Sequence, residues 1–231
     1  MNRVVVLGSA NADLVVKVPR RPEAGETLLG SDLAVFAGGK GANQASAAAR
    51  SGAETAFFAR VGGDEHGAVI RSRLVDAGVD VDGIEVVDRP TGTALILLTP
   101  DGENSIVVSP GANHALDVGF AESTADRWSG ADVLVLNLEA PLQTVEHAAA
   151  MAAERGIRVL LNAAPAEQLS ADTLAVCDPL VVNEHEARLL LDDDGTSPFA
   201  ELARRFIDRG VRSIIITLGA AGALYGDSAV G

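Results

Sequence analysis

Cysteine is almost absent. Cys177 stands alone in 231 residues, so neither an intramolecular disulfide nor a multi-cysteine metal site can form within the chain. That fits a reducing compartment. Basic residues are in the minority too: 18 lysines and arginines face 32 aspartates and glutamates, for a net charge of −14 and a pI near 4.6. A surface this acidic repels phosphodiester backbones and argues against a nucleic-acid partner. It leaves room for a small phosphorylated ligand, because a few amides and one lysine suffice for a local anion site. No window approaches the ~18 consecutive apolar residues of a membrane span, and the apolar run at residues 4–7 is too short for a signal peptide. The expectation is a soluble, cytoplasmic protein with no membrane partner. The Walker spacing G-x-x-x-x-G-K-[ST], the dinucleotide fingerprint G-x-G-x-x-G and the serine elbow G-x-S-x-G are all missing, as is any nucleophile–base pair. The four histidines, His66, His114, His147 and His185, have no ligand spacing for zinc.

What remains is ordinary globular composition, 48% apolar and 22% charged. Short, nearly all-apolar runs at 4–7, 133–136, 159–161, 180–182 and 214–216 read as strands covered on both faces. Helix-length stretches at 64–78, 141–156 and 199–210 separate some of them, each stopping at glycine. This alternation predicts an α/β fold with a doubly wound, mostly parallel sheet flanked by helices. Two stretches, about 13–36 and 91–109, alternate instead, with turn chemistry at Pro100-Asp101-Gly102. They read as antiparallel strands inserted into one α/β domain over 1–231, forming a small β sheet of their own.

In open α/β sheets ligands bind beyond the carboxyl ends of the strands. Here those ends carry Asn11 and Asp13, Asn137 and Glu139, Asn162, Asn183 and Thr217. Any one could simply cap a strand. Together, amides that donate and accept and carboxylates that accept from two hydroxyls suit a polyhydroxylated ligand. The sharpest local feature is Ala37-Gly38-Gly39-Lys40-Gly41-Ala42-Asn43-Gln44, where glycines open a helix whose first amides would be free for a ligand. Lys40 is one of only two lysines in the chain, and a compact ammonium is a good partner for phosphate. Asn183-Glu184-His185-Glu186 supports two readings: a capping box, or a first helical turn whose Asn183 and Glu186 hold the water shell of Mg²⁺. Thr217-Leu218-Gly219-Ala220-Ala221-Gly222 is either a tight turn or a glycine loop against a nucleotide. Cys177 reads as a small buried hydrophobe.

In this order, these motifs resemble the PfkB family of carbohydrate kinases, most closely its ribose-phosphorylating members. Gly8-Ser9-Ala10-Asn11-Ala12-Asp13 and the Gly38–Gln44 stretch carry the likeness. So do Thr91-Gly92-Thr93-Ala94, Gly102-Glu103-Asn104, Pro110-Gly111-Ala112-Asn113, Leu138-Glu139-Ala140-Pro141, Asn183–Glu186 and Thr217-Leu218-Gly219. The resemblance implies transfer of the γ-phosphoryl group of ATP to the 5-hydroxyl of D-ribose. It implies a sugar site at Asn11, Ala12, Asp13, Gly39, Lys40, Gly41, Ala42, Asn43 and Glu139. ATP contacts would fall to Asn183, Thr217, Leu218, Gly219, Ala220, Ala221 and Gly222, and Glu186 would help place Mg²⁺. The inserted strands would form a lid over the sugar and the contact of a homodimer. The family's G-A-G-D loop, with the aspartate that takes the hydroxyl proton, is expected beyond Gly231, together with most of the adenine pocket and the K⁺ site. Apolar surface near residues 214–216 would then be uncovered. Two alternatives stand beside this: a PfkB kinase for another sugar or nucleoside, and a non-catalytic sugar-binding chain. A dinucleotide oxidoreductase is disfavoured by the missing fingerprint after Leu7.

Overall fold

The computed structural model describes residues 2–228. Along the chain come β1 (Arg3–Leu7), β2 (Asn11–Lys17), β3 (Ala34–Gly38), α1 (Lys40–Arg50), β4 (Glu54–Gly62), α2 (Glu65–Asp76) and β5 (Asp80–Val87). Then follow β6 (Gly92–Leu98), β7 (Asn104–Ser109), a 3₁₀ turn at Gly111–Ala115, α3 (Val118–Thr124), β8 (Val133–Asn137), α4 (Leu142–Glu154) and β9 (Arg158–Asn162). The last elements are α5 (Ala171–Val176), β10 (Cys177–Asn183), α6 (Glu184–Leu190), α7 (Phe199–Asp208), β11 (Ser213–Thr217) and β12 (Ala223–Asp227).

Eight strands form the main sheet in the order β12-β11-β10-β9-β8-β1-β4-β5. All pairs are parallel except β11–β12, an antiparallel edge hairpin. Alternate residues of β1 serve opposite faces: Val5 and Leu7 join a core with α3 to α7, and Val6 joins one with α1 and α2. The all-apolar runs follow from this double coverage. Phe57 and Phe58 of β4 likewise enter opposite cores, both fully buried, and each buried phenyl ring contributes about 1.5–3 kcal/mol relative to exposure. The helix α4 is inward at Thr144, Val145, Ala148, Ala149 and Ala152, a helical stripe of small residues that lies close against the sheet.

On the α1/α2 side those two helices contact β1, β4, β5 and β8. Beyond β8 the same face leaves Leu160, Val181 and Ile215 half-buried and Tyr225 60% exposed. Uncovered surface was expected around residues 214–216, but Ile214 and Ile216 point into the other core and are fully buried; only Ile215 faces the open side.

The inserted segments form a second sheet of four strands, β3-β2-β6-β7. Its outer pairs, β2–β3 and β6–β7, are antiparallel, and β2 and β6 meet in parallel at its centre. Asp64 anchors its root. That carboxylate caps α2 through the Gly67 amide and also accepts from the amide and hydroxyl of Thr91, the residue before β6.

Another buried carboxylate, Asp193, ties α6 to α7 by accepting from Arg188 (2.5 Å) and Arg205 (3.0 Å). The Ser197 side chain, the Gly195 amide and Arg188 hold its carboxyl down at about 2. Its contribution to stability is therefore complete above the ordinary value of 3.8 and is lost as pH falls through about 2. Cys177 is buried, with its thiol pushed by burial up to about 12, in keeping with a packing role.

Candidate functional site

The carboxyl ends of the parallel strands, the N-terminus of α1 and the root of the small sheet converge on one region, and a single carboxylate joins them. Glu139 follows β8, and its Oε2 accepts from the Ser9 hydroxyl at 2.6 Å and from the Lys40 amide at 3.0 Å. Ser9, fully buried after β1, accepts in turn from the Gly41 amide at 3.2 Å. Asn137, also fully buried, accepts from the Glu139 amide and donates to Gln44.

These bonds correct one expectation about the glycine loop. The first amides of α1 are not free: Lys40 N–H goes to Glu139, Gly41 N–H to the Ser9 hydroxyl, Ala42 N–H to the Ser9 carbonyl, and Asn43 N–H to the Gly39 carbonyl. The positive end of the helix dipole is turned on an internal carboxylate rather than kept open for a ligand anion. The glycines serve close approach. A Cβ on Gly41 would lie 2.7 Å from Ser9 backbone atoms, and one on Gly38 would lie 2.1 Å from the Asp13 carboxylate. Gly39 has φ 87° and also abuts the Asn11 amide, so a side chain there is excluded twice over.

Register places Asn11 and Asp13 on one face of β2, with Gly38 opposite Asn11 and Phe36 opposite Asp13. On the same face, Ile106 and Val108 of β7 stand across β6. This inner face and the strand ends enclose a cavity of about 460 Å³ that includes Asn11, Lys40, Ile106, His114, Glu139 and Pro165 in its lining. A neighbouring cavity of about 350 Å³, beyond β9, β10 and β11, is lined by Lys40, Gln44, Asn162, Asn183, Glu186 and Thr217 among others. Lys40 borders both.

At the second cavity, Asn183 and Glu186 form a full capping box: Asn183 Oδ1 accepts from the Glu186 amide and Glu186 Oε2 from the Asn183 amide, each at 2.8 Å. The cap engages one carboxylate oxygen and leaves Oε1 unengaged, so the capping and metal readings of this motif are compatible. Among the described residues no three His, Cys, Asp or Glu side chains cluster as a metal site.

Not every expected residue reaches a cavity. Ala12 is buried and points away from the face that carries Asn11 and Asp13, and Ala42 packs in the α1/α2 core, so each can offer only its backbone. Asn43 is exposed one turn along α1. Leu218 packs on the core beside α7, and Gly219–Ala221 form a 3₁₀ turn closed by Leu218 N–H to the Gly222 carbonyl; only Thr217 of that loop lines the cavity. Gln44, Ile106, Val108, His114 and Pro165 line the cavities without having been assigned a binding role. Gln44 lies four residues after Lys40, on the same helical face, and the alternation in β7 marks Ile106 and Val108; nothing local marks His114.

Burial raises the Asp13 carboxyl above its ordinary value, and the negative charge of Glu139 raises it further. The fold thus disfavours ionised Asp13, and its stabilising contribution, present below the ordinary value of 3.8, is lost as pH rises through the raised value. Asp13→Asn is expected to raise the melting temperature at pH 7 by roughly 1–4 °C, a gain that shrinks as pH falls toward 3.8. Scanning calorimetry across that range checks it; equal stability at pH 7 would show that burial and Glu139 together do not raise the Asp13 carboxyl.

Compared with known proteins, residues 1–230 match the profile of the pfkB family of carbohydrate kinases. A ribokinase of Haemophilus influenzae is 40% identical over 222 residues, which is 95% of this chain and 72% of that protein. One of Schizosaccharomyces pombe is 40% identical over 97% of this chain and 74% of its own length. Among solved structures, Arabidopsis thaliana ribokinase complexed with ribose and ATP superposes with a TM-score of 0.86 at 30% identity, covering 100% of this chain and 77% of that one.

Proposed function

This chain belongs to the pfkB family of carbohydrate kinases, and from that premise we propose that it transfers the γ-phosphoryl group of ATP to the primary hydroxyl of D-ribose, giving D-ribose 5-phosphate. The observation that carries the reading is the meeting of two cavities at one ammonium group. On one side of Lys40 lies a pocket lined by the Glu139 carboxylate and the Asn11 amide and suited to a polyol; on the other lies an oxygen-rich groove at the strand ends.

In this reading Asp13 and Glu139 accept hydrogen bonds from sugar hydroxyls, and Asn11 contributes its amide. Glu139 is held by Oε2, which leaves Oε1 for the sugar. Gly39, Gly41, Ala12 and Ala42 bring backbone close, and Asn43, three residues after Lys40, adds a second amide. Ile106 and Val108 of the small sheet close over the sugar as a lid and exclude water. Asn183 and Thr217 take the nucleotide, with the 218–222 turn beside it. Phosphoryl transfer asks mainly for alignment of the attacking hydroxyl with the γ-phosphorus and neutralisation of charge on the phosphoryl oxygens. Lys40 supplies that neutralising charge between the two cavities.

Mg²⁺ fits the donor set at the second cavity, where Glu186 Oε1 offers one hard oxygen and water and phosphate would supply the others. When bound, the ion would offset phosphate charge. No described residue is assigned to K⁺ or to acceptance of the hydroxyl proton; the family's G-A-G-D sequence has no counterpart in residues 2–228. A reducing cytoplasm suits the single free thiol.

The outer face of the lid sheet exposes Val35, Leu95 and Val107 at 42–67%. This face is where a second copy would dock to form a homodimer, by its apolar character. Val107→Lys is expected to shift the protein from dimer to monomer in sedimentation analysis; a monomeric wild type would remove this interface.

Ribose-dependent ADP formation, with ATP, Mg²⁺ and K⁺ present, tests the function, and ADP formation indifferent to ribose would sink it. Ribose binding without transfer would favour the non-catalytic reading. Asp13→Ala is expected to weaken ribose binding by roughly a hundredfold or more, two hydroxyl bonds to a charged acceptor being lost, with no fall in melting temperature. Unaltered affinity in calorimetry would remove Asp13 from the site. Glu186→Gln keeps an acceptor for the cap but loses the charge. It is expected to raise several-fold the Mg²⁺ needed for ATP binding at nearly constant melting temperature. A fall in melting temperature alone would leave Glu186 a capping residue only.

A further inference from the structure

Asn113, 1% exposed at the 3₁₀ turn after β7, has no part in the assignments above. We infer that Asn113 is a positioning residue that fixes which end of the Asn11 amide faces the sugar, and so makes Asn11 a hydrogen-bond donor beside the carboxylate acceptors. The inference rests on the sugar-kinase reading of the same cavity.

The orientation can be traced to a backbone group that has no choice. The Ala10 N–H can only donate, and it points at Asn113 Oδ1 over 2.9 Å. Turning the Asn113 amide would set its NH₂ against that N–H, and its oxygen against the Ala10 carbonyl, which now accepts from Nδ2 at 3.4 Å. Asn113 is therefore fixed, and its Nδ2 donates to Asn11 Oδ1 at 2.7 Å. The Asn11 oxygen is engaged by the protein. Its Nδ2 meets no protein acceptor among the described residues, and Asn11 lines the cavity.

Two features hold this pair in place. Gly92 of β6 closes over it: a Cβ there would lie 2.2 Å from Asn11 Oδ1 and 2.4 Å from Asn113 Nδ2. Arg60 of β4 fastens the 3₁₀ turn itself, donating to the Ala115 carbonyl and pairing with Asp117.

The polarity matters because Asp13 and Glu139, when ionised, only accept. A hydroxyl that donates a hydrogen bond to one of them still presents lone pairs, and Asn11 N–H groups answer these. A reversed Asn11 would instead add a third acceptor beside two carboxylates. Sites built to bond a hydroxyl reject ligands that cannot complete the set, because a buried partner is left unpaired.

The test is a double-mutant cycle on D-ribose affinity, read by calorimetry on wild type, Asn11→Ala, Asn113→Asp and the double variant. A carboxylate at 113 still accepts from Ala10 but cannot donate to Asn11, which turns its NH₂ inward. Asn11→Ala and Asn113→Asp are each expected to weaken ribose binding about ten- to hundredfold. The double variant is expected to bind no more weakly than Asn11→Ala. Penalties that multiply, or wild-type affinity in Asn113→Asp, would overturn the inference while leaving the ribose site intact. Wild-type affinity in Asn11→Ala would overturn the ribose-site reading and the inference with it. Should Asn113→Asp fail to fold, Asn113→Ala carries the same cycle, since it frees the Asn11 amide without inverting it. Its ribose penalty should again vanish in the Asn11→Ala background, and persistence there would mark a purely structural role.

Discussion

One carboxylate oxygen holds the site together. Glu139 Oε2 takes the Ser9 hydroxyl from the chain after β1 and the Lys40 amide from the start of α1, and Glu139 itself leaves the end of β8. Three segments more than a hundred residues apart at the extremes are thereby locked at the centre of the sheet. The bonds are charge-assisted and part-buried, a setting that strengthens such contacts. Everything the sugar would touch is measured from this point. Lys40 starts its helix there, Gly39 and Gly41 pass within contact distance of the β1–β2 connection, and Asp13 carries the electrostatic mark of the same carboxylate.

Much of this was legible in residue order. The five all-apolar runs are strands because both faces of the sheet are covered near its centre, and the 64–78, 141–156 and 199–210 helices end within a residue or two of their glycines. Strand β4, beside the edge strand β5, was less visible: Thr55 and Arg60 interrupt its apolar residues, so it offers neither an unbroken apolar run nor a clean alternation. Nor does local sequence show that β2 and β6 pair in parallel, since about 75 residues separate the two strands. The same limit applies to the site. Polar strand ends announced Asn11, Asn183 and Thr217 as residues that line the cavities, and the glycines announced the loop. The engagement of every first-turn amide of α1 could not be read, because the partners, Ser9 and Glu139, come from elsewhere in the chain. His114 and Pro165 belong to the cavity only through tertiary placement.

The capping box at α6 illustrates how one motif serves two ends. Asn183 and Glu186 bond each other's backbone and so start the helix at a defined angle. The Asp193 cluster fastens the far end of that helix to α7. A carboxylate fixed at both ends of its helix keeps its free oxygen at a constant place, the kind of rigidity that a charge-stabilising site requires.

The glycine loop also divides the cavity into a wall that can vary and one that cannot. Positions 38, 39 and 41 admit no side chain without moving Asp13, Asn11 or Ser9, so every single substitution there disturbs the floor of the pocket. Facing them, Ile106, Val108 and His114 line the same cavity, and a change of size or polarity there leaves the close glycine contacts in place. Drift in ligand preference among descendants of this chain is thereby channelled to the lid and the 3₁₀ turn, with the floor left as ancestry.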